Sequence, residues 1–388
     1  MKKDTKLIAS GRDPEGNHGI VNPPVYHAST VTFPTLKAME EAGKNALNQT
    51  YYGRYGTPTT FAFEETMADL EGGYRCIAVP SGMAAIALTL VSLLKQGDHL
   101  LMVDSAYFPT RKFCEGHLKN MGVETTYYDP LIGAGIADLM RPETKMVFTE
   151  SPGSITFEIQ DLPAICKAAH AKGAVVALDN TWSAGYLLEA FELGVDISLQ
   201  AATKYIVGHS DAMLGTVTTT EALYEKMKWA AVGYGYSAAP DDCYLGLRGL
   251  RSLSARMERH SRSALKIAHW LAERPEVDKV LHPAFPDCPG HEIWKRDFSG
   301  SAGLFSIQLT DYSKDAIAAM LDGLDHFAMG YSWGGFESLI IPSWPKDMRT
   351  ATDWKATGPL LRLQIGLEDP DDLIDDLNAG FDRLNVVK

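Results

Sequence analysis

Between about residues 57 and 250, short apolar runs alternate with longer amphipathic stretches. The runs Cys76–Val79, His99–Val103, Val123–Tyr128, Met146–Thr149, Ala174–Leu178 and Asp196–Gln200 predict strands. The stretches Phe61–Leu70, Gly82–Leu94, Thr110–Asn120 and Pro163–Lys172 predict helices. Ala174–Leu178 shows no polar alternation, the pattern of a strand buried on both faces. Strands alternating with helices of this length imply a mostly parallel sheet covered on both sides, an α/β architecture.

The pattern changes near residue 251. Arg251–Glu273 predicts a long helix that stops before Pro275. Strands at Val277–Leu281, Gly303–Gln308 and Leu361–Ile365 and helices at Lys314–Leu324 and Leu373–Asn385 then predict a smaller C-terminal α+β domain. Residues 1–56 read differently. They carry Pro23-Pro24 and Pro34 and end in Tyr51-Tyr52-Gly53-Arg54-Tyr55-Gly56, so they predict an extended arm with little core of its own. Such an arm packs on another surface, a neighbouring subunit being one candidate. The expected division is an arm (1–56), a ligand-binding α/β domain (57–250) and a C-terminal domain (251–388).

Composition narrows the function classes. A chain of 388 residues, 45% hydrophobic, has enough apolar material for more than one core. Its net charge of −13 disfavours nucleic acid and anionic membranes as partners. The five cysteines are scattered and odd in number, without a C-x-x-C pair, which fits a reducing cytoplasm better than a disulfide framework or zinc ribbon. No signal peptide is visible, and the longest apolar run, Met83–Leu94, is shorter than the roughly 20 residues of a membrane span. His282, Cys288 and His291 lie close together in a proline-rich loop but lack a second ligand pair, so no metal is expected.

Five features carry candidate chemistry, four of them at the ends of predicted strands of the α/β domain, where open sheets bind ligands. Ser81-Gly82-Met83 opens a helix after a strand, so the N–H groups of Gly82 and Met83 suit a phosphate; a plain N-cap explains the same residues. Tyr107 follows a strand and suits stacking on an aromatic ring, or half-burial in a core. Asp179 ends the wholly apolar strand and needs a cationic partner, such as a protonated pyridinium, unless it caps the next segment or joins an ordinary ion pair. Lys204, between Ala201-Ala202 and Tyr205-Ile206-Val207, is poorly placed for a solvated charge; desolvation would lower its pKa and favour a Schiff base. Beside it Thr203 offers a hydroxyl. Arg362, inside the apolar run Leu360–Ile365, requires an anion, either a substrate carboxylate or an internal ion pair.

Together these residues resemble the cystathionine lyase/synthase family of pyridoxal-5′-phosphate (PLP) enzymes of Cys/Met metabolism, over essentially the whole chain. The matches are Tyr52-Gly53-Arg54, Asp179-Asn180-Thr181, Thr203-Lys204-Tyr205 with Gly208-His209-Ser210-Asp211, and Tyr331-Ser332-Trp333-Gly334-Gly335. Asp129–Gly133, Glu150–Ser154 and the Tyr-Ser-Trp-Gly-Gly run resemble the bacterial β-lyase branch; many γ-type members have asparagine at the position of Ser154 and lack the tryptophan at 333. The resemblance implies a fold-type I PLP-dependent transferase-like fold. It implies that Lys204 carries the cofactor, Asp179 pairs with its ring nitrogen and Tyr107 stacks on the ring, with Gly82, Met83 and Thr203 on the phosphate. Family members often carry serine two positions before the threonine; Ala201 here removes that hydroxyl. Tyr52 and Arg54 are expected to complete the phosphate site of an adjacent subunit, which implies dimeric units and a homotetramer. Arg362 is expected to hold the carboxylate of an amino-acid substrate, with Ser332, Trp333 and Tyr331 beside it. Lys204 is the expected base, and Tyr107 or Tyr52 the group that deprotonates the incoming amine. The implied activity is β-cleavage of cystathionine. The rivals are γ-lyase, γ-synthase or cysteine desulfhydrase activity within the family, and a non-catalytic regulator on the same fold.

Overall fold

A computed structural model describes residues 1–345, 348–355 and 358–387. Two sheets organise the chain. The larger contains β1 (Arg75–Val79), β2 (His99–Val103), β3 (Glu124–Tyr128), β4 (Thr144–Glu150), β5 (Val175–Asp179), β6 (Ile197–Gln200) and β7 (Gly215–Thr219), in the order β1-β7-β6-β5-β4-β2-β3. The β2–β3, β2–β4, β4–β5 and β5–β6 pairs are parallel, whereas β7 runs antiparallel to both β1 and β6. Helices cover both faces. The last four residues of β5 are buried, as its unbroken apolar run requires.

The smaller sheet is antiparallel, with β8 (Val277–Leu281), β9 (Leu304–Leu309), β10 (Leu339–Ser343) and β11 (Leu360–Gln364) in the order β10-β11-β9-β8. Its hydrophobic cluster, built on Phe305, Ile307, Leu361, Leu363, Leu377 and Phe381, is separate from the cluster around the larger sheet. The helix Leu253–Ala272 contributes to both, Leu253 and Met257 to one and Ile267 and Leu271 to the other.

Three parts differ from the sequence expectations. The first ten residues do not extend as an arm: Lys3–Ala9 is a helix docked on its own chain, with Leu7 buried and Arg251 donating to the carbonyls of Leu7 and Ser10. The rest of 1–56 is mostly exposed and includes one short helix, Leu36–Gly43, with no buried residue. The helix expected at Thr110–Asn120 starts at Phe108 and widens after Phe113 into an i→i+5 turn. The structure also adds β7, β10 and the helices Glu221–Tyr234, Pro240–Arg251 and His291–Asp297.

Two buried charged groups tie the segment after β10 to the large sheet. Asp104, just beyond β2, accepts the N–H groups of Thr350 (3.0 Å), Ala351 (3.0 Å) and Thr352 (2.9 Å) and pairs with Arg111 at 2.8 Å. Burial pushes this carboxyl up, but the Thr350 N–H, the Thr352 hydroxyl and Arg111 outweigh it and hold the acid below its usual range. Arg349 reaches Glu158 at 2.7 Å. Asp104→Ala would leave Arg111 buried without its anion and three N–H donors unpaired, so it should cost about 3–5 kcal/mol of stability. Thermal or denaturant melting of the variant checks this; an unchanged midpoint would mean that the segment is held by other contacts.

Candidate active site

The carboxyl ends of β2, β4, β5 and β6 open into one cavity of about 420 Å³, closed on its far side by residues of the smaller sheet and the segment before β10. Ten of the twelve residues singled out from sequence line it or belong to its immediate wall: Gly82, Met83, Tyr107, Asp179, Thr203, Lys204, Tyr331, Ser332, Trp333 and Arg362. Tyr52 and Arg54 do not. Tyr52 is exposed, and Arg54 bonds to the carbonyl of Val232 beside another, much smaller, cavity.

Each side chain is placed by its local backbone. Ser81 caps the helix Gly82–Leu93 by accepting the N–H of Ala84 at 3.1 Å. In this first turn the N–H groups of Gly82 and Met83 have no intrahelical acceptor. Glycine is required there, because a Cβ at 82 would lie 2.5 Å from the Cβ of Ala201. The Thr203 hydroxyl accepts the N–H of Leu214 at 2.9 Å and lies 3.1 Å from its carbonyl, which fixes the turn in front of Lys204.

Lys204 points into the cavity. Its amine donates to the Ser332 hydroxyl and lies 5.3 Å from the centroid of the Trp333 ring. Burial and the nearby Arg362 guanidinium lower its pKa to about 8, against the opposing pull of Asp179. Asp179 is buried at the end of β5 and accepts both the N–H (3.1 Å) and the hydroxyl of Thr181. Burial raises its pKa, and the Thr181 hydroxyl and N–H and the Lys204 charge pull it back. Arg362 donates to the Ser332 carbonyl at 2.9 Å, while its buried Nε has no partner among the described residues. Burial lowers its pKa to about 10, so it remains cationic at neutral pH.

Backbone conformation is unusual around this cavity. Ser332 (φ 79°), Ile155 (φ 71°) and Phe157 (φ 60°) lie in the left-handed region, which costs most for β-branched Ile155. These residues form the walls next to Lys204 and Arg362. Glu150, Ile155, Phe157, Trp182 and Met213 also line the cavity without having been given a role in the site from sequence. Glu150 has a legible signal: like Asp179, it ends a strand whose preceding residues are buried.

A family model described as Cys/Met metabolism PLP-dependent enzyme matches residues 4–382. Cystathionine beta-lyase MetC of Escherichia coli K12 is 46% identical over 390 residues, covering 99% of this chain and 99% of that protein. The cystathionine beta-lyase of Salmonella typhimurium LT2 is 47% identical over 388 residues, covering 98% of each. Among solved structures, cystathionine gamma synthase from Xanthomonas oryzae pv. oryzae in complex with cystathionine superposes with a TM-score of 0.91 at 31% identity, over 100% of both chains.

Proposed function

Since the chain belongs to the family of Cys/Met metabolism PLP-dependent enzymes, we propose that its cavity is the active site of a carbon–sulfur lyase that cleaves L-cystathionine by β-elimination, consuming water and releasing homocysteine, pyruvate and ammonia. The observation that carries this reading is the Lys204 amine, desolvated in a cavity that also holds the Asp179 carboxyl and the unsatisfied Nε of Arg362. The names and high identity of the bacterial relatives favour β-cleavage over γ-cleavage.

The residues present fit pyridoxal 5′-phosphate, the family's cofactor. Gly82 and Met83 offer free N–H donors at a helix N-terminus, and the closeness of Ala201 leaves no room for a larger residue at 82. In our reading these groups and Thr203 would hold the phosphate, Asp179 would pair with the ring nitrogen, Tyr107 would cover the ring and Lys204 would anchor the cofactor through its aldehyde. Bound there, the cofactor supplies an electron sink for the substrate Cα.

The protein's own groups then orient the substrate and move protons. The Arg362 fork holds the α-carboxylate, and Ser332 and Trp333 fix the direction from which Cα faces Lys204. The Lys204 Nζ, depressed toward neutrality, takes the Cα proton and returns one to the departing sulfur. Tyr107 is a weaker candidate for base: burial and the neighbouring Asp179 raise its hydroxyl above the usual value, so the phenol stays protonated. It serves better as a ring cover and hydrogen-bond donor.

Assembly belongs to the same reading. Tyr52 and Arg54 stand away from this chain's cavity, and Ile20, Val21, Tyr26, Leu36 and Met39 are exposed along the arm. We therefore assign Tyr52 and Arg54 to the cofactor phosphate of a second copy, in dimeric units that pair as a tetramer, with the part of 1–56 that follows the docked helix Lys3–Ala9 as the arm, 57–250 as the cofactor-binding domain and 251–388 as the C-terminal domain. Among the described residues no helix is long and apolar enough to cross a membrane. Buried thiols without disulfides support a reducing cytoplasm.

The deciding experiment is turnover of L-cystathionine by the PLP-loaded protein, with thiol and keto-acid products identified. Pyruvate and homocysteine are expected in equal amounts. Cysteine with 2-oxobutyrate would instead establish γ-cleavage, and absence of turnover would leave the fold serving a non-catalytic role.

A further inference from the structure

The cavity holds a second, half-buried acid. Glu150 ends β4 and is the register partner of Asp179 on β5, so the two carboxyls leave adjacent parallel strands at the same level. Both line the cavity. The Glu150 Oε2 accepts the backbone N–H of Tyr107 at 2.7 Å, and its own N–H donates to Gln160 Oε1 at 2.9 Å. The cation that acts on Glu150 is Arg349, but that guanidinium is committed to Glu158 at 2.7 Å.

We propose that Glu150 is a positioning residue of this site, acting through two neighbours: it holds the Tyr107 turn by accepting that residue's N–H, and it shares a single negative charge with its cross-strand partner Asp179. Two carboxyls set side by side on neighbouring strands of one cavity do not both ionise freely, because each anion raises the cost of the other. The surroundings decide which one takes the charge. Asp179 has the Thr181 N–H and hydroxyl on one oxygen, and in the reading above the cofactor's ring nitrogen beside it. Glu150 has one backbone donor from the turn after β2, Asp179 from β5, and the distant, already paired Arg349 from the segment after β10. Burial, and then Asp179, push the Glu150 carboxyl well above its usual range. Glu150 therefore keeps the proton, and Asp179 carries the charge that faces the cofactor ring.

This inference rests on the proposed role of Asp179, and the test separates the two. In the PLP-loaded full chain, Glu150→Gln keeps the shape and the acceptor for the Tyr107 N–H but cannot ionise. At neutral pH it should raise KM and the PLP dissociation constant clearly less than Glu150→Ala does, because the Tyr107 N–H keeps its acceptor. The pH titration of the bound cofactor's visible absorbance should lose the transition that ionisation of Glu150, raised above the usual carboxylate range, causes in the parent. Glu150→Ala removes the acceptor and should raise both KM and the PLP dissociation constant about tenfold. The proposal is overturned if the Gln variant is as impaired at neutral pH as the Ala variant, if its absorbance titration is unchanged, or if the Ala variant equals the parent. Should the Ala variant not fold, the Gln titration alone decides. Asp179→Asn is the control on the underlying role: if it keeps full cofactor affinity and turnover, the Asp179 assignment fails whatever Glu150 does.

Discussion

Replacing Lys204 with alanine is expected to lower turnover of L-cystathionine by about 10⁴-fold or more, because one amine serves as both covalent anchor and proton carrier. The bound cofactor should lose its visible absorbance band at the same time. Lys204 is suited to both tasks by its surroundings. Burial and Arg362 lower its pKa to about 8, so a useful share of the amine is unprotonated near neutral pH, while Asp179 limits the fall. Ser332 and the Trp333 ring fix the amine on the cavity side of its turn. The melting temperature should change little, because removing a desolvated amine relieves a burial cost. Substantial turnover by the alanine variant would remove the lysine from the mechanism and the chemistry would need another base. Glu150 and Tyr107 are poor substitutes, since their surroundings raise both groups above their usual values.

How much of this was legible before the structure depends on the kind of signal. Asp179 and Lys204 stand out because a charged residue beside an apolar run violates the expectation of solvation, and that violation is local. The parallel strands β2, β4 and β5 are legible because burial on both faces demands unbroken apolar runs. β7 is harder. Its sequence, Gly-Thr-Val-Thr-Thr, is small and polar, yet all five residues are buried, and the Thr218 hydroxyl finds its partner in the distant, equally buried Glu71. β10 contains Pro342, which argues against a strand until its position at the sheet edge is known. The Asp104 contacts join positions roughly 246 apart in the chain, and no local pattern announces them. Glu150 was accessible in principle, since it ends a strand as Asp179 does, but its significance comes from the register that sets the two acids side by side.

Arg362 should show a different kinetic signature from Lys204. It occupies the middle of β11, between Ser306 of β9 and Ile341 of β10, so the sheet fixes the direction of its side chain. One end of the guanidinium is anchored on the Ser332 carbonyl, and the buried Nε is left for a ligand. A substrate carboxylate supplies the missing acceptor and the missing negative charge together, as a fork-shaped pairing requires. Truncating one partner of a buried charged hydrogen bond costs about 2–5 kcal/mol, and each 1.36 kcal/mol is about tenfold in rate. Arg362→Leu should therefore lower kcat/KM by about 10²- to 10³-fold, mostly through KM, since the carboxylate is held in both ground and transition states. Arg362→Lys should recover part of this, limited by the loss of two-point geometry. The PLP dissociation constant should stay within about threefold in both variants, because Arg362 faces the substrate and not the phosphate cradle at Gly82. A large fall in kcat at unchanged KM, or a weakened hold on the cofactor, would show that the guanidinium acts on the cofactor or on the shape of the Ser332 turn, and would move the carboxylate site elsewhere in the cavity.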